Sequence, residues 1–283
     1  MVEIQRLPSY LSPSSLMTAE GMPNTFFLSR LISDPLIREP QSMAAAVGSA
    51  FDYYIKMLLI EKKFPHKQPK LEEIKAGIET NIDEAFRAGK KAFNQYTKCR
   101  AFNIDEFANV ELHLDGSLEG VPLYGKMDAT CYDLKGDHKD RVIPYDWKVT
   151  GYTAQESVSP PPGYYRLWEG IRPKAKHHLY EPNMPFEAID EKWATQLCTY
   201  GWLMDIPFGM PFPARIDVLV FKNQAIRCIA QYRGWITESF QNVTKYRYKR
   251  IWNELKTGDY LKRLDSTLDE DLIWIAAKQE TWY

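Results

Sequence analysis

Cysteine is scarce in this chain of 283 residues. Cys99, Cys131, Cys198 and Cys228 stand far apart, with no CxxC pair among them. That spacing argues against a zinc site or a disulfide framework, and for reduced, buried thiols in a cytoplasmic protein. Excess charge is missing as well. Lysine and arginine number 36 against 37 aspartates and glutamates, a net charge of −1, so any contact with a polyanion must rest on a local patch. Residues 1–30 lack the basic start, apolar run and small-residue cleavage site of a secretion signal. No stretch reads as long and apolar enough to cross a bilayer, so no membrane partner is expected. Repeats and low-complexity tracts are absent, and no Ser/His/Asp or Cys/His nucleophile arrangement stands out.

A hydrophobic share of 45% and eight tryptophans supply a substantial core. Leu11-Ser-Pro-Ser-Ser-Leu16, followed by Phe26-Phe27-Leu28, predicts a capped entry into a short helical arm. An i, i+3/i+4 stripe of Met43, Val47, Ala50/Phe51, Tyr54 and Leu58 predicts a helix from Ser42 to about Ile60, and a clearer stripe predicts another from Pro69 to Phe93. Alternation and glycine punctuation predict three strands near 110–115, 118–131 and 141–149. Tyr152 to Asp190 is rich in proline and irregular, and too long for an idle connection. Asp190 caps a predicted helix over Glu191–Met204, two strands follow at Ala214–Phe221 and Ala225–Arg233, and Thr237 starts a basic helix to about Lys256. Helix, three-strand meander, helix, strands is the order of an α/β fold with a mixed central β-sheet flanked by helices, an N-terminal helical arm and a C-terminal helix. Length alone does not choose between one large domain and a domain with appended helices. The expected division is a single unit, helical over about 1–109, a core over about 110–235 and a helical end over 236–283.

The most informative run is Ile143-Pro-Tyr-Asp146-Trp-Lys148-Val-Thr-Gly151. Strand side chains alternate faces, so Asp146 and Lys148 point the same way, roughly 6–7 Å apart, while Ile143, Tyr145, Trp147 and Val149 point to a core. Asp128 ends Gly125-Lys-Met-Asp128 on the preceding strand, and the polar stretch Asp133–Asp140 reads as the hairpin connection. Two acids and a lysine on one side of a hairpin suit Mg²⁺ or Mn²⁺ and a water beside a phosphate. Lys148 would hold or deprotonate that water and neutralise charge on phosphorus. A D-x-K triplet alone is more often what an exposed, solvated hairpin face carries. Gln196 and Tyr200, at i and i+4, share a helix face and could grip a substrate backbone or orient Lys148, although such a pair also marks an ordinary core boundary. Asp52, after Gly48, could add a third acid, or be a solvated helix residue.

Other features compete with this constellation. Gly120-Val-Pro-Leu-Tyr-Gly125-Lys126 fits a nucleotide-loop skeleton, but Met127 offers no hydroxyl, the interior is bulky and no helix start follows. Gly120 and Gly125 instead read as strand glycines that allow close backbone approach. Arg166, Lys174, Lys176, His177 and His178 fall in the long loop, where they could guide a strand or simply be scattered surface charge. Lys245-Tyr-Arg-Tyr-Lys-Arg250 mixes cations with aromatics, suited to phosphates and stacked bases or to a solvated helix face.

Taken together, Ser12–Ser15, Gly48…Asp52, Gly125-x-x-Asp128, Asp146-x-Lys148-x-x-Gly151 and Gln196-x-x-x-Tyr200 resemble the PD-(D/E)XK nuclease superfamily, most closely its RecB-type exonuclease branch, over roughly residues 10–235. The resemblance implies a restriction-endonuclease-like core and Mg²⁺- or Mn²⁺-dependent cleavage of DNA in recombination, repair or phage DNA metabolism. It implies Asp128, Asp146 and the Trp147 carbonyl as metal ligands, Lys148 as the catalytic lysine, and Gln196, Tyr200 and Arg166 at the substrate. DNA is the implied partner, with a recombinase, helicase or single-strand-binding protein beside it; oligomeric state is left open. A structure-specific endonuclease and a non-catalytic nucleic-acid-binding subunit are the alternatives. Two positions depart from the family pattern. Asp52 stands where the family helix usually carries histidine, which bears on metal preference. Met22 precedes Pro23 where iron–sulfur relatives have cysteine, and no cysteine follows Cys228, so no iron–sulfur cluster is expected.

Overall fold

Six segments pair into one mixed sheet: Phe107–Leu118 (β1), Val121–Tyr132 (β2), Val142–Thr150 (β3), Tyr165–Glu169 (β4), Phe212–Lys222 (β5) and Ala225–Ile236 (β6). The computed structural model describes residues 4–32, 41–67, 82–99, 102–133, 141–152, 160–161, 165–169, 184–222, 225–265 and 267–268. The strand order is β1-β2-β3-β5-β6-β4, with every neighbouring pair antiparallel except β3 and β5. Glu119 and Gly120 both have positive φ, 49° and 83°, which closes β1 onto β2 in a two-residue turn. Gly120 is thus a turn residue, whereas Gly125 and Lys126 lie within β2, so no phosphate-cradling loop forms there.

The helices are Pro13–Gly21 (α1), Pro23–Arg30 (α2), Met43–Lys62 (α3), Ile82–Tyr96 (α4), Phe186–Ile189 (α5), Glu191–Leu203 (α6) and Glu238–Thr257 (α7). Their starts follow the capping residues. Ser12 and Ser15 form a reciprocal capping box, Asp190 accepts from the Trp193 amide at 2.9 Å, and Thr237 accepts from that of Phe240 at 3.2 Å.

Strand alternation decides which helix covers which face. Ile143, Tyr145, Trp147, Leu219 and Phe221 pack with Val47, Phe51 and Ile55 of α3 and with Ala88, Ala92 and Tyr96 of α4. Ile216, Val218, Val220 and Ala230 pack on the opposite side with Ala194, Leu197 and Cys198 of α6. The N-terminal arm meets the C-terminal helix in a third cluster: Leu16, Phe26 and Phe27 lie with Leu123, Tyr248 and Ile251. The architecture is therefore mixed α/β, a sheet sandwiched between helices.

Three expectations need correction. The stretch after β3 is not wholly irregular, because β4 adds to the far edge of β6 and α5 precedes α6. Proline content masked the short elements between the breaks. Of the helix expected over Pro69–Phe93, the described part begins at Ile82 and continues to Tyr96; residues 68–81 lie outside the described residues. Finally, α3 is long and apolar enough by length and composition to cross a membrane. Its apolar stripe instead packs on the sheet, and Asp52 and Lys56 follow the same helix to the edge of β2.

Candidate active site

The site sits where β2 and β3 part. Their antiparallel register runs from Tyr132↔Val142 to Ala129↔Tyr145 and stops. Beyond it β3 continues beside β5, with Asp146 opposite Ile216 and Lys148 opposite Val218, and β2 continues beside β1. Asp128 and Asp146 are the next residues on the two diverging strands. Their carboxyls share a hydrogen bond at the mouth of this fork. The connecting residues 134–140 lie outside the described residues, but the Asp133 amide donates to the Arg141 carbonyl at 2.9 Å and closes the ladder's other end.

Helix α6 supplies one wall. The Lys148 ammonium forms an ion pair with Asp146 and donates to Gln196 Oε1 at 3.0 Å. Gln196 Nε2 donates to the Tyr200 hydroxyl at 2.9 Å, which donates to the Lys126 carbonyl at 2.6 Å, just past the last β2–β3 pair. Gly125 makes that approach feasible: a Cβ there would sit 2.9 Å from Tyr200 Cε1 and from Leu203 Cδ1. The second wall is α3. Lys56, one turn after Asp52, is 2.6 Å from Asp52 Oδ2 and 2.8 Å from Asp128 Oδ1. Asp52 therefore meets an ammonium first, and reaches the acid pair through it.

Burial is graded. Asp146 is fully enclosed, while the Asp128, Asp52 and Lys148 side chains keep 24%, 24% and 29% of their exposure, so the fork opens to solvent on the Lys148 and Asp128 side. Burial, then the neighbouring Asp128 charge, pushes the Asp146 carboxyl up to about 8, against the opposing pull of Lys148. Asp52 rises to about 7 through burial and Asp128, with Lys56 opposing. Burial also raises Asp128, but Lys56, the hydrogen bond with Asp146, and Lys148 outweigh it and hold this carboxyl well below the usual range. Burial disfavours the Lys148 ammonium, yet Asp146 and Asp128 keep it protonated well into the alkaline range.

Asp52 Oδ1 is buried without a hydrogen-bond partner, and the enclosed Asp146 carboxyl meets Lys148 and Asp128. Hard carboxylate oxygens next to a second acid fit Mg²⁺ or Mn²⁺. Among the described residues no group of three or more acidic, His or Cys side chains stands ready to hold one ion. The fork thus brings two acids together, Asp128 and Asp146. The Trp147 indole packs on the other face, against Phe107 and Tyr145.

Arg166 lies on edge strand β4, paired with Ala230 of β6, and two strands, β5 and β6, separate that strand from β3. An edge strand, not a loop beside the acids, carries it. Lys174, Lys176, His177 and His178 lie outside the described residues. Four cations of α7 are engaged with acids: Lys245 and Lys249 clamp Glu119, Arg247 binds Glu20 and Glu191, and Arg250 binds Glu20. That helix fastens the N-terminal arm and the β1–β2 turn.

Two residues of the site escaped the sequence reading. Lys56 follows Asp52 at i, i+4, a spacing that places both on one helix face and was open to notice. Glu111 pairs with Lys126 at 3.1 Å and lies 3.9 Å from Lys56. Its φ of 49°, the left-handed region inside a strand, has no signal in the local sequence.

Fold and site together define a mixed α/β protein with a paired-carboxylate and lysine centre at a strand fork. No family model matches the chain, and no curated protein matches its sequence. Among solved structures it is similar to a candidate exonuclease from Eubacterium rectale at 16% identity, over 88% of this chain and 82% of that one, with a TM-score of 0.47. A second, SSO0001, shares 11% identity over 81% and 80% of the two chains, with a TM-score of 0.30.

Proposed function

We propose that this chain is a Mg²⁺- or Mn²⁺-dependent deoxyribonuclease with a PD-(D/E)XK core of the RecB type, acting as an exonuclease in recombination, repair or phage DNA metabolism. One observation carries the reading: the Asp128 and fully buried Asp146 carboxyls meet, with the Lys148 ammonium paired to Asp146 alongside. A divalent cation held there supplies charge neutralisation at the phosphate and a more acidic water. Asp128 and Asp146 hold it, with the Trp147 carbonyl as a third donor. Lys148, kept as an ammonium by its acidic neighbours, steadies the attacking water and stabilises charge growing on the phosphoryl oxygens; it is not the base in that state. Gln196 fixes the ammonium, and Tyr200 fixes Gln196. Water adds to phosphorus as the bond to the 3′ oxygen breaks, leaving a 5′-phosphate and a 3′-hydroxyl. The buried cysteines suit a cytoplasmic setting.

The test is digestion of linear duplex, end-blocked duplex, single strand and closed circle, each with Mg²⁺, Mn²⁺ or EDTA. Metal-dependent loss of linear DNA, with circles spared, is the expected result. Cut circles would point to an endonuclease, and no cleavage of any substrate would overturn the proposal.

A further inference from the structure

Lys56 has no part in the chemistry above, yet it is 2% exposed, and lysine is rarely so enclosed unless paired. It extends from α3 into the acids: 2.6 Å from Asp52 Oδ2, 2.8 Å from Asp128 Oδ1 and 3.9 Å from Glu111 Oε2. Centres that cleave phosphodiesters with two metal ions hold them about 3.5–4 Å apart on shared carboxylates. Asp128 is the carboxylate placed to be shared, with Asp146 on one side and Asp52 and Glu111 on the other. On that second side Lys56 already claims Asp128 Oδ1 and Asp52 Oδ2. On the first side Asp146 is fully buried and its carboxyl meets the Lys148 ammonium, the lysine that the reading above places at the phosphate.

We infer that Lys56 is a fixed monovalent cation standing in place of a second divalent ion, so the centre takes a single Mg²⁺ or Mn²⁺ at Asp128 and Asp146. The inference rests on the metal-dependent reading of the site. Lys56 is a positioning residue: its charge holds Asp52 and Glu111 out of the metal shell and keeps one oxygen of Asp128 occupied. Removing the charge and keeping the length of the chain opens acceptors for a second ion.

The experiment counts Mn²⁺ bound to the full chain by calorimetric titration and by the electron-paramagnetic-resonance signal of free Mn²⁺. Wild type should bind one ion and Lys56→Met two. Lys56→Arg should return to one, a rescue that a purely packing role would not give. Two ions on the wild type, or one on a folded Lys56→Met, overturns the inference and leaves the nuclease reading intact. Binding of no ion to the wild type overturns both. If Lys56→Met does not fold, the wild-type and Lys56→Arg counts decide, since two ions on either contradicts the assignment.

Discussion

Lys148 on β3 donates a 3.0 Å hydrogen bond to Gln196 Oε1 on α6, joining a strand and a helix 48 residues apart. The bond aims a flexible ammonium that would otherwise sample many rotamers. Gln196→Ala should lower the cleavage rate by about 10–100-fold, the range seen when supporting partners of a metal centre are removed. Mn²⁺ binding should stay near wild type, and comparing single-turnover rates with binding isotherms separates the two effects.

Asp146→Asn keeps the shape of a fully buried side chain and removes its charge. It should abolish Mn²⁺ binding and reduce cleavage below detection, because a cation at a phosphoryl centre is worth several kcal/mol or more of transition-state stabilisation. The thermal midpoint of the metal-free protein should not fall at neutral pH. Near-normal nuclease activity in this variant would falsify the metal assignment.

The metal-free protein should lose stability as pH rises. Asp146 and Asp52 have folded-state values of about 8 and about 7 against 3.8 for the free group, so between those limits the folded protein binds protons that the unfolded chain releases. Their contribution is complete below about pH 4 and disappears as pH climbs through 7 to 8. Thermal melts in EDTA from pH 5 to 9 should show a decline that Asp146→Asn reduces. Added Mn²⁺, which prefers the ionised carboxylates, should bind more tightly as pH rises over the same window.

Gly201 of α6 faces Phe212 so closely that a Cβ would lie 2.1 Å from its Cζ. Gly201→Ala should therefore destabilise the fold by about 1–3 kcal/mol through overpacking. Because α6 also carries Gln196 and Tyr200, cleavage should fall in step. Chemical denaturation and activity measured on the same preparation check both.

Behind the site, Tyr96 donates at 2.7 Å to Asp217, a fully buried carboxylate that also meets Arg215 and Gln231. Tyr96→Phe leaves that acceptor short of a partner and should cost about 1–3 kcal/mol. Mn²⁺ stoichiometry should be unchanged, as this network lies on the α3 and α4 face of the sheet. Denaturant unfolding with a metal titration distinguishes the outcomes.

Most elements were legible because their causes are local. Ser42, Asp190 and Thr237 announce helices by capping them, and alternation through Val142–Thr150 announces a strand. The site was legible in part. Asp128, Asp146, Lys148, Gln196 and Tyr200 carry strand and helix spacings that survive into three dimensions. The segment that carries Arg166 read as a loop because Pro160, Pro161, Pro162, Pro173, Pro182 and Pro185 break the pattern around it, whereas pairing with β6 makes it an edge strand. Lys56 shares a helix face with Asp52 by its spacing, but nothing in the local sequence says that its ammonium also reaches Asp128.

Sequence by itself determined the faces: which side of β3 bears acid and lysine, which side of α6 bears amide and phenol, and where each helix begins. Those follow from periods of two and 3.6 residues and from single capping groups. Only the tertiary structure decided that β2 and β3 part after Ala129↔Tyr145, and that α3 lays an ammonium between Asp52 and Asp128. Where a ladder stops and which helix crosses its opening depend on packing summed over residues far apart in the chain, and no local pattern encodes that sum.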